Sequence, residues 1–298
     1  MKHLFNISLV ILISVVVLSC KKDNPLKPGY GVDGVTPMPD AVDIGLVVNG
    51  KRILWASFNL GASKEYEYGD YYAWGETSTY YETLEPLVWR KRNGKTQGYN
   101  WGSYLYCNGG DYRKITKYCP DTQGAAQYWD KQSFPEGADG RMVLLPSDDV
   151  AHKKLGGFWR MPTKEEWEAL VDICYQTIRG DTSDYIWEDR VYATDENGNR
   201  VKNSKGVDIL GYRIICKKTG GSLFFPCGGM FVSDNVPSVY YGDYSLFWSS
   251  SVYLAPNGAY AAGFGKQIYA GGTVSSFDRP AGLSIRPVKT LTFPYVAK

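Results

Sequence analysis

A chain of 298 residues is long enough to bury a large core in one or two domains, and 44% hydrophobic with 21% charged residues is the balance of a globular protein. The formal net charge is +2, with acidic and basic residues interleaved and no basic stripe, which argues against nucleic acid as a partner. Two histidines are present and His3 falls in the leader, so multi-histidine metal centres are excluded and any histidine-dependent triad would rest on His152.

Residues 1–19, MKHLFNISLVILISVVVLS, have a short basic start and an apolar run through Leu18. The run is too short for a comfortable membrane span and fits a secretory signal. Val17-Leu18-Ser19-Cys20 resembles a bacterial lipobox, in which Cys20 becomes the lipidated N-terminus. Residues 20–40 then hold four prolines and three glycines with almost no apolar periodicity, and read as a flexible tether. The charged start Lys21-Lys22-Asp23 resembles signals that send some lipoproteins to the outer face of the outer membrane.

An exported chain is permitted disulfides. Cys107 and Cys119 bracket a short polar loop and form the candidate pair, whereas Cys174 lies on the apolar face of a helix and reads as a buried thiol. Five cysteines follow Cys20, an odd count that leaves at least one free or paired between chains.

One domain is expected over 41–290, with a short tail at 291–298. Residues 42–62 are two apolar runs around Asn49-Gly50, a pair that favours a type I′ hairpin turn. Residues 63–135 are rich in Tyr, Trp, Gly and Asn without helical period, and predict long ordered loops with short strands. In GGFWRMPTKEEWEALV (156–171), Thr163 and Glu166 form a capping box behind Pro162. Trp167, Leu170, Val171, Cys174 and Ile178 share one face of the helix that follows, expected over 164–178. Residues 190–203 contain Asn197-Gly198 and predict a hairpin; a calcium loop starting at Asp195 would need a glutamate where the chain has Gly206. The last third alternates strand-like runs with glycine turns and predicts a closing meander.

Taken in order, VDIGLVVNGKRILWASFNLGA, YGDYYAWGET, ITKYC, LPSDDVAHKKLGGFWRMPTKEEWEAL, GGSLFFPCGG, LFWSSSVY and LSIRPV resemble the Fibrobacter succinogenes major paralogous domain, a family of secreted or lipid-anchored proteins, over nearly all of 42–288. WRMPTKEEWEAL is also similar to the RLPTEAEWE segment of formylglycine-generating enzymes. The resemblance implies their C-type-lectin-like fold, an α+β architecture of small twisted antiparallel sheets, few helices and long irregular loops. In related variable ligand-binding proteins of this fold, the binding residues lie in the C-terminal part.

The oxidase chemistry of the formylglycine-generating enzymes uses a C-terminal cysteine pair on copper, a soft metal that thiolates suit. Here the last cysteine is Cys227, which removes that centre. Asp148-Asp149, Glu165-Glu166 and Asp181 with Asp184 offer paired carboxylates for a hydrolase, but adjacency in sequence does not place two carboxyl groups across a cleft. Glu166 reads instead as a capping residue and Asp148-Asp149 as a solvated or turn-forming pair. The expectation is therefore a non-catalytic module with no metal or cofactor. It would be held to the outer membrane through the N-terminal lipid, surface-exposed, and would bind an extracellular glycan or protein. The alternative is a structural subunit of a surface assembly. The candidate contact residues are Tyr253, Asn257, Tyr260, Lys266, Gln267, Tyr269, Ser275, Ser276, Phe277, Asp278 and Arg279, a paratope-like mixture of aromatic and polar groups. Strand alternation makes core positions an equal reading for Tyr260 and Tyr269, and Trp248 reads as core. Arg160 stays open between a buried ion pair and a surface contact.

Overall fold

The computed structural model describes residues 27–233, 242–265 and 271–291. The chain opens with strands β1 (Ala41–Val48) and β2 (Lys51–Ala56). Five short strands follow: β3 (Tyr71–Tyr72), β4 (Tyr81–Thr83), β5 (Val88–Trp89), β6 (Lys91–Arg92) and β7 (Lys95–Thr96). Helices α1 (Val150–Leu155) and α2 (Lys164–Arg179) come next. The chain then runs through β8 (Tyr185–Tyr192), β9 (Leu210–Cys216), β10 (Ser222–Pro226), β11 (Tyr244–Val252) and β12 (Gly258–Gly265). It closes with β13 (Thr273–Asp278), β14 (Leu283–Ser284) and β15 (Val288–Leu291). This is an arrangement of small, almost wholly antiparallel sheets with two α-helices among the described residues; only β11 and β14 run parallel.

The Asn49-Gly50 turn forms as expected, with both residues at positive φ (49° and 73°), the geometry a two-residue type I′ turn requires. β15 pairs with the far side of β2, so the two ends of the domain share one sheet in the order β1-β2-β15. A second sheet, β10-β9-β8, stands beside it, and the central sheet runs β13-β12-β11-β14-β3. The expected meander forms as two antiparallel runs, β8-β9-β10 and β11-β12-β13; β14 and β3 complete the central sheet from the other side.

Period-two alternation along β11 divides the core. Leu246 and Trp248 point to one cluster, shared with Trp74, Tyr118, Leu155 and Trp159. Phe247 points to the other, shared with Trp55, Trp167, Phe225 and Phe264. Trp248 is core, as expected, and its Nε1–H donates to the Tyr72 carbonyl (2.8 Å). The helix α2 lays Trp167, Leu170 and Cys174 into the second cluster, with the Trp167 ring 4.6 Å from Trp55. Truncating Trp167 to alanine would cost about 3–5 kcal/mol. The capping box is complete: Thr163 Oγ1 accepts from Glu166 N–H, and Glu166 Oε2 accepts from Thr163 N–H (2.8 Å). Gly180, at φ 77°, ends the helix. The predicted apolar stripe stops short of its last member, since Ile178 is exposed.

Two buried arginines, Arg279 and Arg286, tie distant segments together. Arg286 donates to Asn59 Oδ1, the Ala56 and Ser57 carbonyls and the Phe224 carbonyl, and its guanidinium lies 5.1 Å over Phe225. The NL of FNLGA and the R of LSIRPV are therefore two halves of one buried junction.

Several expectations are corrected. Residues 27–40 are docked rather than a free tether. Asp33 accepts from Val35 N–H, Thr36 N–H and Thr36 Oγ1–H, pairs with Lys154 at 3.6 Å, and Thr36 is buried. Gly31 lies so close to the Lys154 carbonyl that any side chain would collide with it. Polar composition hid this contact because its bonds are made by one aspartate and the backbone, not by an apolar stripe. Cys107 and Cys119 are free thiols, not a disulfide. Each is turned to its own carbonyl, Cys107 Sγ to Asp111 O (2.9 Å) and Cys119 Sγ to Ala125 O (3.5 Å). Of the two readings for Asp148-Asp149, solvated or turn-forming, the second holds: both are buried in the turn that enters α1. Asp149 caps α1 by accepting from His152 N–H and also accepts from Met161 N–H, both within 3.1 Å. The 190–203 hairpin forms through the Thr194–Arg200 bridge, with Asp195 Oδ1 accepting from Asn197 and Asn199 N–H.

Candidate functional site

The predicted contact segment does not form one surface. β13 is the edge strand, and its register with β12 sets Ser276 opposite Tyr260 and Phe277 opposite Ala259. Tyr260 therefore faces the α2 side. It stands edge-on to Tyr253 at 5.2 Å, with Lys164 Nζ 4.8 Å over its ring. Phe277 faces the opposite side and packs against Trp248 at 6.5 Å, with Ser275 and Asp278 exposed along the edge. Asn257 turns Oδ1 inward, where it has no partner among the described residues.

Arg279 is the clear correction: it is 0% exposed. It donates to the Lys117 and Tyr118 carbonyls and stacks 4.8 Å over Trp74, so it holds loops together and contacts no ligand. Lys266, Gln267, Tyr269 and the lipidation candidate Cys20 lie outside the described residues. Among the described residues, no group of three His, Cys, Asp or Glu side chains is placed to hold a metal.

The side chains that do converge come from the aromatic-rich loops. A polar cleft of about 460 Å³ opens between the 75–80 loop, the extended β5–β6 segment, Leu105-Tyr106 and the Ser147-Asp148 approach to α1. Its floor is fixed from below. Trp74 donates Nε1–H to the Ser249 carbonyl, its own carbonyl accepts from Tyr104 OH (2.9 Å), and Tyr118 packs edge-on to it at 5.2 Å. Gly75 then turns at φ 77°, and a Cβ there would press on the Tyr106 ring, so glycine is what lets Tyr106 OH reach the Gly75 carbonyl.

Glu76 is the next residue and is 7% exposed. Its Oε1 accepts from Tyr80 OH (2.5 Å) and Leu105 N–H (2.7 Å). No partner bonds Oε2 among the described residues, and the side chain lines the cleft. Burial raises its pKa above the usual carboxylate range, and the two hydrogen bonds and the nearby Arg92 charge only partly offset that. Asp148 behaves oppositely. Burial again disfavours its charge, but the bonds from Lys117 Nζ and Tyr118 OH outweigh it and hold its pKa below the ordinary value.

The opposite wall is cationic. Arg90 and Arg92 project to the same side of an extended segment. Each guanidinium is pinned by one backbone carbonyl, Arg90 Nε–H on Tyr81 O (2.8 Å) and Arg92 Nη2–H on Ser103 O. Their other N–H groups have no partner among the described residues. The cleft therefore presents fixed donors on one wall, an open carboxylate oxygen on the floor, and hydroxyls from Thr77 and Ser78 at its rim. Sequence reasoning missed these residues. The only signals were the basic run Arg90-Lys91-Arg92 in a stretch without helical period and, fourteen residues before it, Glu76 at the end of an aromatic run.

A second groove, about 340 Å³ and largely apolar, follows the phrase 156–163 and is walled by Val143, His152, Trp159 and Met161. Phe158 stands at its mouth, 76% exposed. Arg160 is settled as an ion-pair partner: Nη1 and Nη2 donate to the two oxygens of Glu166 (2.7 and 2.5 Å), and Nη2 also donates to Thr290 Oγ1. Comparison with protein-family models, with curated proteins and with solved structures found no match.

Proposed function

We propose that this chain is a lipid-anchored, surface-exposed protein of the outer membrane that acts as a non-catalytic binding module for an extracellular glycan or protein. The fold we assign to it is the C-type-lectin-like one of the Fibrobacter succinogenes major paralogous domain. The leader with Cys20 at its end supports the anchor, and the small antiparallel sheets with long loops are compatible with that fold. The observation that carries the binding role is the polar cleft, where pinned guanidiniums and an open carboxylate oxygen face one space. Oxidase chemistry of the related enzymes has no support, because residues 228–298 contain no cysteine. The test is a glycan and extracellular-protein array probed with the full chain and with R90Q/R92Q. A ligand lost in the variant is expected; hits that the variant retains would move the site elsewhere.

A second reading, a structural subunit of a surface assembly, is favoured by Phe158, whose exposed ring sits beside the apolar groove. Sedimentation of the full chain and of F158S separates the two. A discrete oligomer or filament that F158S dissolves supports the subunit, and a monomer in both supports the module.

A further inference from the structure

The ligand class of the polar cleft follows from its charges and from which atoms are left open, given that the cleft is the binding site proposed above. We infer that it takes an acidic sugar, a uronate whose carboxylate lies against Arg90 and Arg92 and whose neighbouring hydroxyl donates to Glu76 Oε2.

Three observations carry this. First, the free donors are guanidinium N–H groups held in place by a carbonyl bond on each residue, and a fixed fork is the geometry that matches a carboxylate. Arg90 and Arg92 line one wall, while the charge of Asp148 is already met by Lys117, so the site favours an anion. Second, Glu76 is more than nine-tenths buried, with one oxygen saturated and the other open to the cleft. A carboxylate there repels a ligand that carries only negative charge, and it needs a donor close to the anion. A uronate supplies this pair, a ring hydroxyl on the carbon next to the one bearing the carboxylate. A run of acidic peptide side chains does not. Third, Thr77 and Ser78 add neutral hydroxyls around the rim, and Leu105, 54% exposed, gives a small apolar surface for the ring's C–H face. The volume of about 460 Å³ holds one to two sugar rings and falls within the usual range for small-ligand sites.

The experiment is titration calorimetry of the full chain in detergent with a panel of uronate trisaccharides, trigalacturonate first. Galactotriose is the neutral counterpart, and a triglutamate peptide has the same charge without hydroxyls. A uronate is expected to bind at least about tenfold more tightly than galactotriose or the peptide, and to weaken as salt rises. R90Q and R92Q should each cost about tenfold, the loss expected for one charge-assisted hydrogen bond. R90K should not restore the affinity, because a lysine lacks the fork. E76Q should weaken binding several-fold; tighter binding in E76Q would mean that Glu76 only repels anions and would overturn the hydroxyl contact. Near-UV circular dichroism of each variant must match the parent, which separates lost contacts from lost folding. Equal binding of galactotriose or of the peptide, uronate binding that ignores R90Q and R92Q, or no uronate binding at all each overturns the inference. If the arrays return a different ligand that still needs Arg90 and Arg92, the class is wrong but the binding module stands. If they return none and F158S dissolves an oligomer, the module itself falls.

Discussion

Replacing Arg160 by methionine tests whether the phrase at 156–171 is held by charge as well as by packing. Glu166 is 4% exposed and accepts three hydrogen bonds, two from the Arg160 guanidinium and one from Thr163 N–H. R160M leaves a buried carboxylate with only the backbone donor. Breaking a buried ion pair from one side costs about 3–5 kcal/mol, and the lower end applies because the Arg160 side chain is 32% exposed and already partly hydrated. E166Q keeps an acceptor for Thr163 and for one guanidinium N–H, so its cost should be smaller, about 1–2 kcal/mol. The double variant removes both the buried charge and its partner, and should cost about 1–2 kcal/mol less than the sum of the two. Urea unfolding of the parent, both single variants and the double variant at neutral pH measures all four corners. An R160M cost below about 0.5 kcal/mol with no coupling would refute the reasoning, since those are the values of an ordinary surface pair.

Arg286 should tolerate no substitution quietly. R286K cannot span Asn59, Ala56, Ser57 and Phe224 together, and at about 1–3 kcal/mol for each buried acceptor left unpaired it should lower the urea midpoint sharply or prevent folding. The thiols should behave as unpaired, with Cys119 buried and Cys107 half-buried. Burial pushes Cys107 and Cys119 up to about 11, so the native chain should alkylate slowly at pH 8 and react fully in denaturant, and reductant should leave the melting temperature unchanged. The 27–40 segment should release in acid before the domain unfolds. Asp33 loses some of its charge preference to burial, but its bonds to Thr36 and Val35 and the Lys154 charge hold its folded pKa below the unfolded value. Its stabilising contribution is thus complete above about pH 4 and lost as pH falls through the depressed value. Limited proteolysis near Lys27 should speed up in that range in the parent, and at neutral pH in D33N. Unchanged cleavage in D33N would mean that Asp33 does not hold the segment.

What could be read in the sequence was local. Asn49-Gly50, the Thr163/Glu166 box and the stripe through Cys174 each specify geometry within a few residues, and each is found where its chemistry puts it. Trp248 is legible as core because it closes the apolar run Leu246-Phe247-Trp248 in a strand-like stretch. The site was not legible, because it joins Glu76, Arg90, Tyr106 and Asp148, which are far apart in the chain and carry no period. Arg279 misled for a related reason: an arginine beside serine and aspartate resembles a contact residue, and only the carbonyls of Lys117 and Tyr118, some 160 residues away, make it a buried strut. Strand alternation makes core positions an equal reading for members of 253–279 such as Tyr260, and the register of β12 with β13 splits Tyr260 from Phe277.

The most direct test of the binding account compares ligand capture by three forms of the full chain: the parent, R90Q/R92Q, and Y253A/Y260A. The account predicts that the array ligand is lost in R90Q/R92Q and kept in Y253A/Y260A, with unchanged circular dichroism in both. Capture that survives R90Q/R92Q and disappears in Y253A/Y260A would place the site at the Tyr253–Tyr260 pair and contradict it.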